Sequence, residues 1–94
     1  MITAAQLRAA RALLGLDQRA LAALSGLSLP TIQRMEASDG VIRGNVDSLM
    51  KLVDALETGG VELIGENGVS EGGGRGVRLR TPAQPRRPAA EEPA

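Results

Sequence analysis

The sequence predicts a mainly α fold: four short helices over residues 1–58, a small β-hairpin over 59–80 and a disordered tail over 81–94. Three observations lead there. Apolar residues recur at helical spacing in successive stretches, each preceded by a Thr, Asp, Ser or Asn able to cap a helix. Beyond Gly60 the pattern changes to short apolar or alternating bursts, as in strands. From Thr81 onward there are four Pro and no apolar residue larger than Ala, a composition that cannot offset the entropy of ordering a chain.

The elements follow in order. Thr3-Ala4-Ala5-Gln6 reads as a capping box, with Thr3 as N-cap and Gln6 at the third helical position. The first helix runs to about Leu14, with Leu7, Ala10, Arg11 and Leu14 on one face, and Gly15 suits a left-handed end. Asp17 caps a second helix from Gln18 to about Leu24, which Gly26 ends. Ser28 caps a third, Leu29 to about Glu36, by reaching the N–H of Thr31. Pro30 falls in its first turn, where the missing N–H has no helical partner to lose. Ile32 and Met35 face inward.

Residues 37–44 read as a loop. Asn45 caps a fourth helix, Val46 to about Glu57, with an apolar stripe of Val46, Leu49, Val53 and Leu56 beside Met50 and Leu52. Thr58-Gly59-Gly60 stops it. Val61–Ile64 and Val77–Arg80 then pair as a hairpin, with Val61 and Leu63 on the same face as Val77 and Leu79. The connection between them is long for a hairpin.

Composition removes several functions. The 94-residue chain has no Cys and no His, so thiol nucleophiles, imidazole bases, disulfides and the usual zinc sites are excluded. No metal or other cofactor is expected. Asp17, Glu36, Asp39, Asp47, Asp54 and Glu57 sit mostly at caps or on polar faces and form no convergent pair. The run Gly72-Gly73-Gly74 lacks the strand, turn and helix context of a phosphate loop. An enzyme is therefore not expected. No apolar run approaches the roughly 20 residues of a membrane span. The first residues carry no basic stretch followed by an apolar one, so a cytoplasmic protein is expected. The chain also lacks Phe, Tyr and Trp. Its Ala-rich core buries little area per helix, and a domain of this size gains from a second subunit, so a homodimer is expected.

Formal charge is zero, so any nucleic-acid affinity rests on local arrangement rather than a basic excess. The informative segment is Gln18 to Glu36, QRALAALSGLSLPTIQRME. Two short helices flank a tight turn at Gly26, small Ala22 lies where they cross, and Leu21, Leu27, Ile32 and Met35 point into the angle between them. This is the helix-turn-helix layout, whose second helix enters the DNA major groove.

With these residues in view, the stretch Leu7 to Leu56 resembles the Cro/C1-type (XRE-like) helix-turn-helix domain of phage repressors and bacterial regulators. The resemblance rests on Gln18, Leu21-Ala22, Gly26-Leu27-Ser28, Thr31-Ile32, Glu36 and the Leu49/Leu52/Leu56 helix. It implies base reading by Ser28, Leu29, Thr31, Gln33 and Arg34, and a phosphate contact from Gln18. It also implies DNA-backbone contacts from Arg43, Gly44 and Asn45, and a structural ion pair between Arg11 and Glu36. The chemistry agrees, since Arg34 can take guanine and Gln33 adenine in bidentate fashion, while Leu29 or the Thr31 methyl meets a thymine methyl. The chain departs from the pattern at Leu29 and Pro30, where polar base readers are frequent. It departs again at Ser25, which replaces a small apolar residue and whose hydroxyl can bond back to the Leu21 carbonyl.

The function implied is a dimeric repressor of transcription that binds a palindromic operator in double-stranded DNA. The alternative is an antitoxin-like interaction module whose tail engages a protein partner. The C-terminal arginines 75, 78, 80, 86 and 87 form either an arm along the DNA backbone or a solvated strand edge and tail. Arg8 and Arg19 read as ordinary surface residues, with a phosphate contact as the alternative.

Overall fold

The computed structural model describes residues 1–69 and 72–80; the tail expected over 81–94 lies outside them. Local capping sets the helices. α1 (Ala4–Leu14) opens on Thr3, whose hydroxyl accepts from the Gln6 N–H at 3.1 Å while Gln6 Oε1 accepts from the Thr3 N–H at 3.0 Å. It closes at Gly15 with φ of 70°, a left-handed conformation that penalises any side chain. α2 (Gln18–Ser25) is capped by Asp17 Oδ1, which accepts from the Ala20 N–H at 2.8 Å. α3 (Leu29–Glu36) is capped by Ser28, and α4 (Val46–Thr58) by Asn45. The hairpin pairs β1 (Val61–Ile64) with β2 (Gly76–Leu79), antiparallel, in the register Val61↔Leu79 and Leu63↔Val77; the four share a face as expected, while β2 starts and ends one residue before the Val77–Arg80 expected.

The helices and hairpin close around one aliphatic core. Leu7, Leu21, Ile32, Met35, Leu52, Leu56 and Val61 are fully buried within it. Leu63 and Val77 pack against its edge. Val61 makes the hairpin part of the core rather than an appendage.

Three features were not read from the sequence. The loop before α4 carries an isolated bridge between Thr3 and Val41, with the Ile42 N–H donating to the Ile2 carbonyl at 3.0 Å. Ile2 and Ile42 thereby enter the core. Gln6, read only as a capping residue, is 5% exposed, and its Nε2 donates to the carbonyls of both Ile64 and Gly76 at 3.0 Å. Both amide hydrogens and the amide oxygen are thus used, and one side chain fastens α1 to the two strand ends nearest the hairpin loop. At the opposite end of the hairpin, Arg80 donates its backbone N–H to Gly60 and its guanidinium to the Glu57 and Val61 carbonyls.

One expectation about packing is corrected. Val46 and Met50 lie outside the buried face of α4, at 74% and 60% exposed. That face centres on Leu52 and Leu56, and at roughly 100° per residue Met50 lies toward the opposite side and Val46 off its flank. Leu79 shares the inward face of the hairpin with Val61, Leu63 and Val77 but stays 47% exposed.

Candidate nucleic-acid interface

The angle between α2 and α3 is built from small parts. Gly26 turns the chain with φ of 76°. The Ser25 hydroxyl, buried, donates to the Leu21 carbonyl at 2.8 Å and accepts from the Leu27 N–H at 3.3 Å. The hydroxyl that replaces an apolar residue here is therefore satisfied within the turn itself. Ala22, buried at the crossing, admits the close approach.

α3 is two-faced. Ile32 and Met35 are fully buried, while Gln33 and Arg34 are exposed to solvent in the same turn of helix. Ser28 is exposed, and Leu29 and Thr31 are half-buried. The Ser28 and Thr31 hydroxyls lie 2.9 Å apart and share a hydrogen, so the two form one polar unit at the start of the helix. The five residues expected to read bases thus belong to one helix and its cap, with the two longest polar side chains outermost.

The far end of α3 is held by a charged cluster. Arg11 from α1 makes a two-pronged bond to Glu36, Nε to Oε2 at 2.7 Å and Nη2 to Oε1 at 3.0 Å. The Glu36 side chain is 5% exposed and that of Arg11 23%. Burial pushes the Glu36 carboxyl up, but the hydrogen bonds from Arg11 and Gln18 and the charges of Arg11 and Arg8 outweigh it and hold the group below its ordinary value. The bond to Glu36 correspondingly raises the Arg11 guanidinium.

Gln18 joins this cluster, donating Nε2 to Glu36 Oε1 at 3.0 Å. One of its two amide hydrogens is thus engaged. Arg8, read as an ordinary surface residue, donates Nη1 to the backbone carbonyl of Glu36 at 2.7 Å. Arg8 stands three residues before Arg11 on α1, and α3 ends on Glu36-Ala37 without a glycine cap.

The loop before α4 places Arg43 in solvent. Gly44 is exposed, but a Cβ there would come within 3.2 Å of Met35 Cε and 3.6 Å of Leu49 Cδ2. Asn45 spends its carbonyl oxygen on the Ser48 N–H at 2.7 Å, the cap of α4. Gly44 and Asn45 therefore have local structural duties whatever else they touch.

Among the C-terminal arginines, three are engaged within the fold. Arg75 donates to the Met1 carbonyl, Arg78 pairs with Glu62 across the strands at 2.8 Å, and Arg80 caps α4. Arg86 and Arg87 lie outside the described residues. Among the described residues no group of His, Cys, Asp and Glu is arranged to hold a metal ion, and no helix is long and apolar enough to cross a membrane.

A family model described as helix-turn-helix matches residues 7–63, more than half of the chain. The chain belongs to that family, the Cro/C1-type helix-turn-helix proteins. The match begins at Leu7 and runs into β1, so it takes in all of α2, α3 and α4. This is a family of DNA-binding regulators of transcription rather than of enzymes. No curated protein matches the chain.

Proposed function

We propose that this helix-turn-helix protein is a sequence-specific, dimeric repressor that sets α3 into the major groove of a palindromic operator. The observation that carries the reading is the two-faced α3. Gln33 and Arg34 project from a helix whose opposite side, Ile32 and Met35, is fully buried. In the groove, Arg34 takes guanine O6 and N7, Gln33 takes adenine, and Leu29 with the Thr31 methyl meets thymine. Ser28 completes the set at the helix start. Gln18, Arg43 and Asn45, with the backbone at Gly44, hold the DNA backbone and fix register.

The hairpin serves as the dimerisation element. Among the described residues β2 has β1 as its strand neighbour, and a second β2 added across a two-fold axis joins two hairpins into one sheet. Palindromic reading then requires two recognition helices about 34 Å apart. The protein acts by occupying its site in the cytoplasm.

Replacing Gln33 or Arg34 with Ala is expected to cost on the order of 1–3 kcal/mol of affinity at the cognate duplex and to relax discrimination at one base position per half-site. Fluorescence anisotropy on the cognate duplex and on single-base variants measures both. Unchanged affinity and specificity in both proteins would remove α3 from base reading.

A further inference from the structure

The recognition helix ends differently from the two helices before it. α1 and α2 each finish at a left-handed glycine, Gly15 and Gly26. α3 finishes at Ala37, whose φ of −87° and ψ of −1° simply continue right-handed backbone. A helix end of that kind lacks the left-handed turn that wraps backbone N–H groups over the last carbonyls, so some of these need side-chain donors.

The last turn of α3 accounts for all four. The Gln33 carbonyl accepts from the Ala37 N–H at 3.0 Å and that of Met35 from the Ser38 N–H at 3.2 Å. The Arg34 carbonyl accepts from the Ser38 hydroxyl at 3.4 Å. The Glu36 carbonyl accepts from Arg8 Nη1 at 2.7 Å, across 28 positions of sequence. A cation at this place also meets the negative end of the helix dipole.

Arg8 and Arg11 stand three apart on α1 and so share a face of it. Both grip Glu36, one by its backbone carbonyl and the other by its carboxylate. The ion pair and the buried Ile32 and Met35 hold α3 by side chains. The second bond, to the backbone of Glu36, adds a fixed point on the main chain at its last turn. Glu36 is two positions beyond Arg34, so the grip fixes the direction in which Arg34 and Gln33 leave the helix.

We infer that Arg8 is a positioning residue for base recognition: by capping the Glu36 carbonyl it sets the angle at which α3 presents Gln33 and Arg34 to the bases. The inference rests on the proposal that α3 reads DNA. Arg8 itself touches no base and carries no share of the phosphate contacts.

The test uses Arg8→Met in the full chain, which keeps the aliphatic stem and loses the donor. The wild-type chain first selects a duplex from a randomised pool, and a shuffled duplex of the same composition serves as the non-specific probe. Three quantities are read: the ratio of affinities for the two duplexes, the slope of log affinity against log salt, and the melting temperature. Binding is measured at a temperature where circular dichroism shows the variant folded. Arg34→Ala is run alongside.

The expected result is a fall in the affinity ratio of about tenfold with an unchanged salt slope. A slope reduced by nearly one with an unchanged ratio marks a phosphate clamp and overturns the inference, since each neutralised phosphate contributes about 0.9 to the slope. A lower melting temperature with ratio and slope both unchanged marks a purely structural cap and overturns it too, as does no change at all. If Arg34→Ala also leaves the ratio intact, base reading by α3 has failed, and positioning by Arg8 with it. If only Arg8→Met leaves it intact, base reading stands and the positioning role alone is lost.

Discussion

Glu36→Ala or Arg11→Ala is expected to cost about 3 kcal/mol of stability or more, because each leaves its partner at a largely buried site without its counter-charge. For a domain of this size that loss lowers the melting temperature by roughly 10–20 °C. Removing Glu36 also takes away the acceptor of the Gln18 amide, whereas removing Arg11 strands a carboxylate that is 5% exposed. The pH dependence has a definite sign. The folded Glu36 carboxyl lies below its ordinary value of 4.5, so in that range the unfolded chain binds more protons than the folded one. The stabilisation is complete above pH 4.5 and is lost as pH falls through the lowered folded value. The wild-type chain therefore loses part of its stability in acid, and Glu36→Ala lacks that part. Thermal melts between pH 3 and 7 measure both effects. A wild-type melting temperature in either variant, with loss of DNA affinity alone, would move the pair from the structure to the interface.

Truncation after Gly59 is expected to abolish a cooperative melt near room temperature or leave a poorly folded monomer with weak operator binding. The cut removes Val61 from the core, and burying one such side chain contributes roughly 1.5–3 kcal/mol. It strips Gln6 of both its acceptors, Ile64 and Gly76, and takes Arg80 from the end of α4. Against a total of about 5–15 kcal/mol for a whole domain, these losses are a large share. Truncation after Arg80 keeps every one of these contacts, and is expected to keep the melt and the dimer. Calorimetry and light scattering on both chains decide it. A stable dimer from residues 1–59 would place the interface on the helices, where Leu24, 51% exposed, is the first residue to test.

The helical part was legible because its signals are local. Thr3, Asp17, Ser28 and Asn45 each cap the helix that follows, and Gly15 and Gly26 each end one; a few neighbouring residues suffice to show it. The Arg11–Glu36 pair came from the resemblance, since a bond across 25 positions leaves no periodic trace. The contacts made to backbone carbonyls were invisible for the same reason and had no family pattern to lend. Gln6 reaches Ile64 and Gly76, Arg8 reaches Glu36, and Arg80 reaches Glu57. A carbonyl is present at every position, so nothing in the partner's identity announces the bond. Val46 and Met50 were misplaced for a different cause. A stripe of apolar residues wider than the surface available to cover it does not say which edge stays exposed.

The central claim is that α3 reads base edges in the major groove. Methylation interference on the duplex selected by the wild-type chain tests it most directly, because it distinguishes guanine N7 in the major groove from adenine N3 in the minor. Expected is interference at guanine N7 in two symmetric half-sites with centres about 34 Å apart. In Arg34→Ala, one guanine in each half-site is expected to lose its effect. Interference confined to adenine N3, or a guanine pattern identical in wild type and Arg34→Ala, would contradict it.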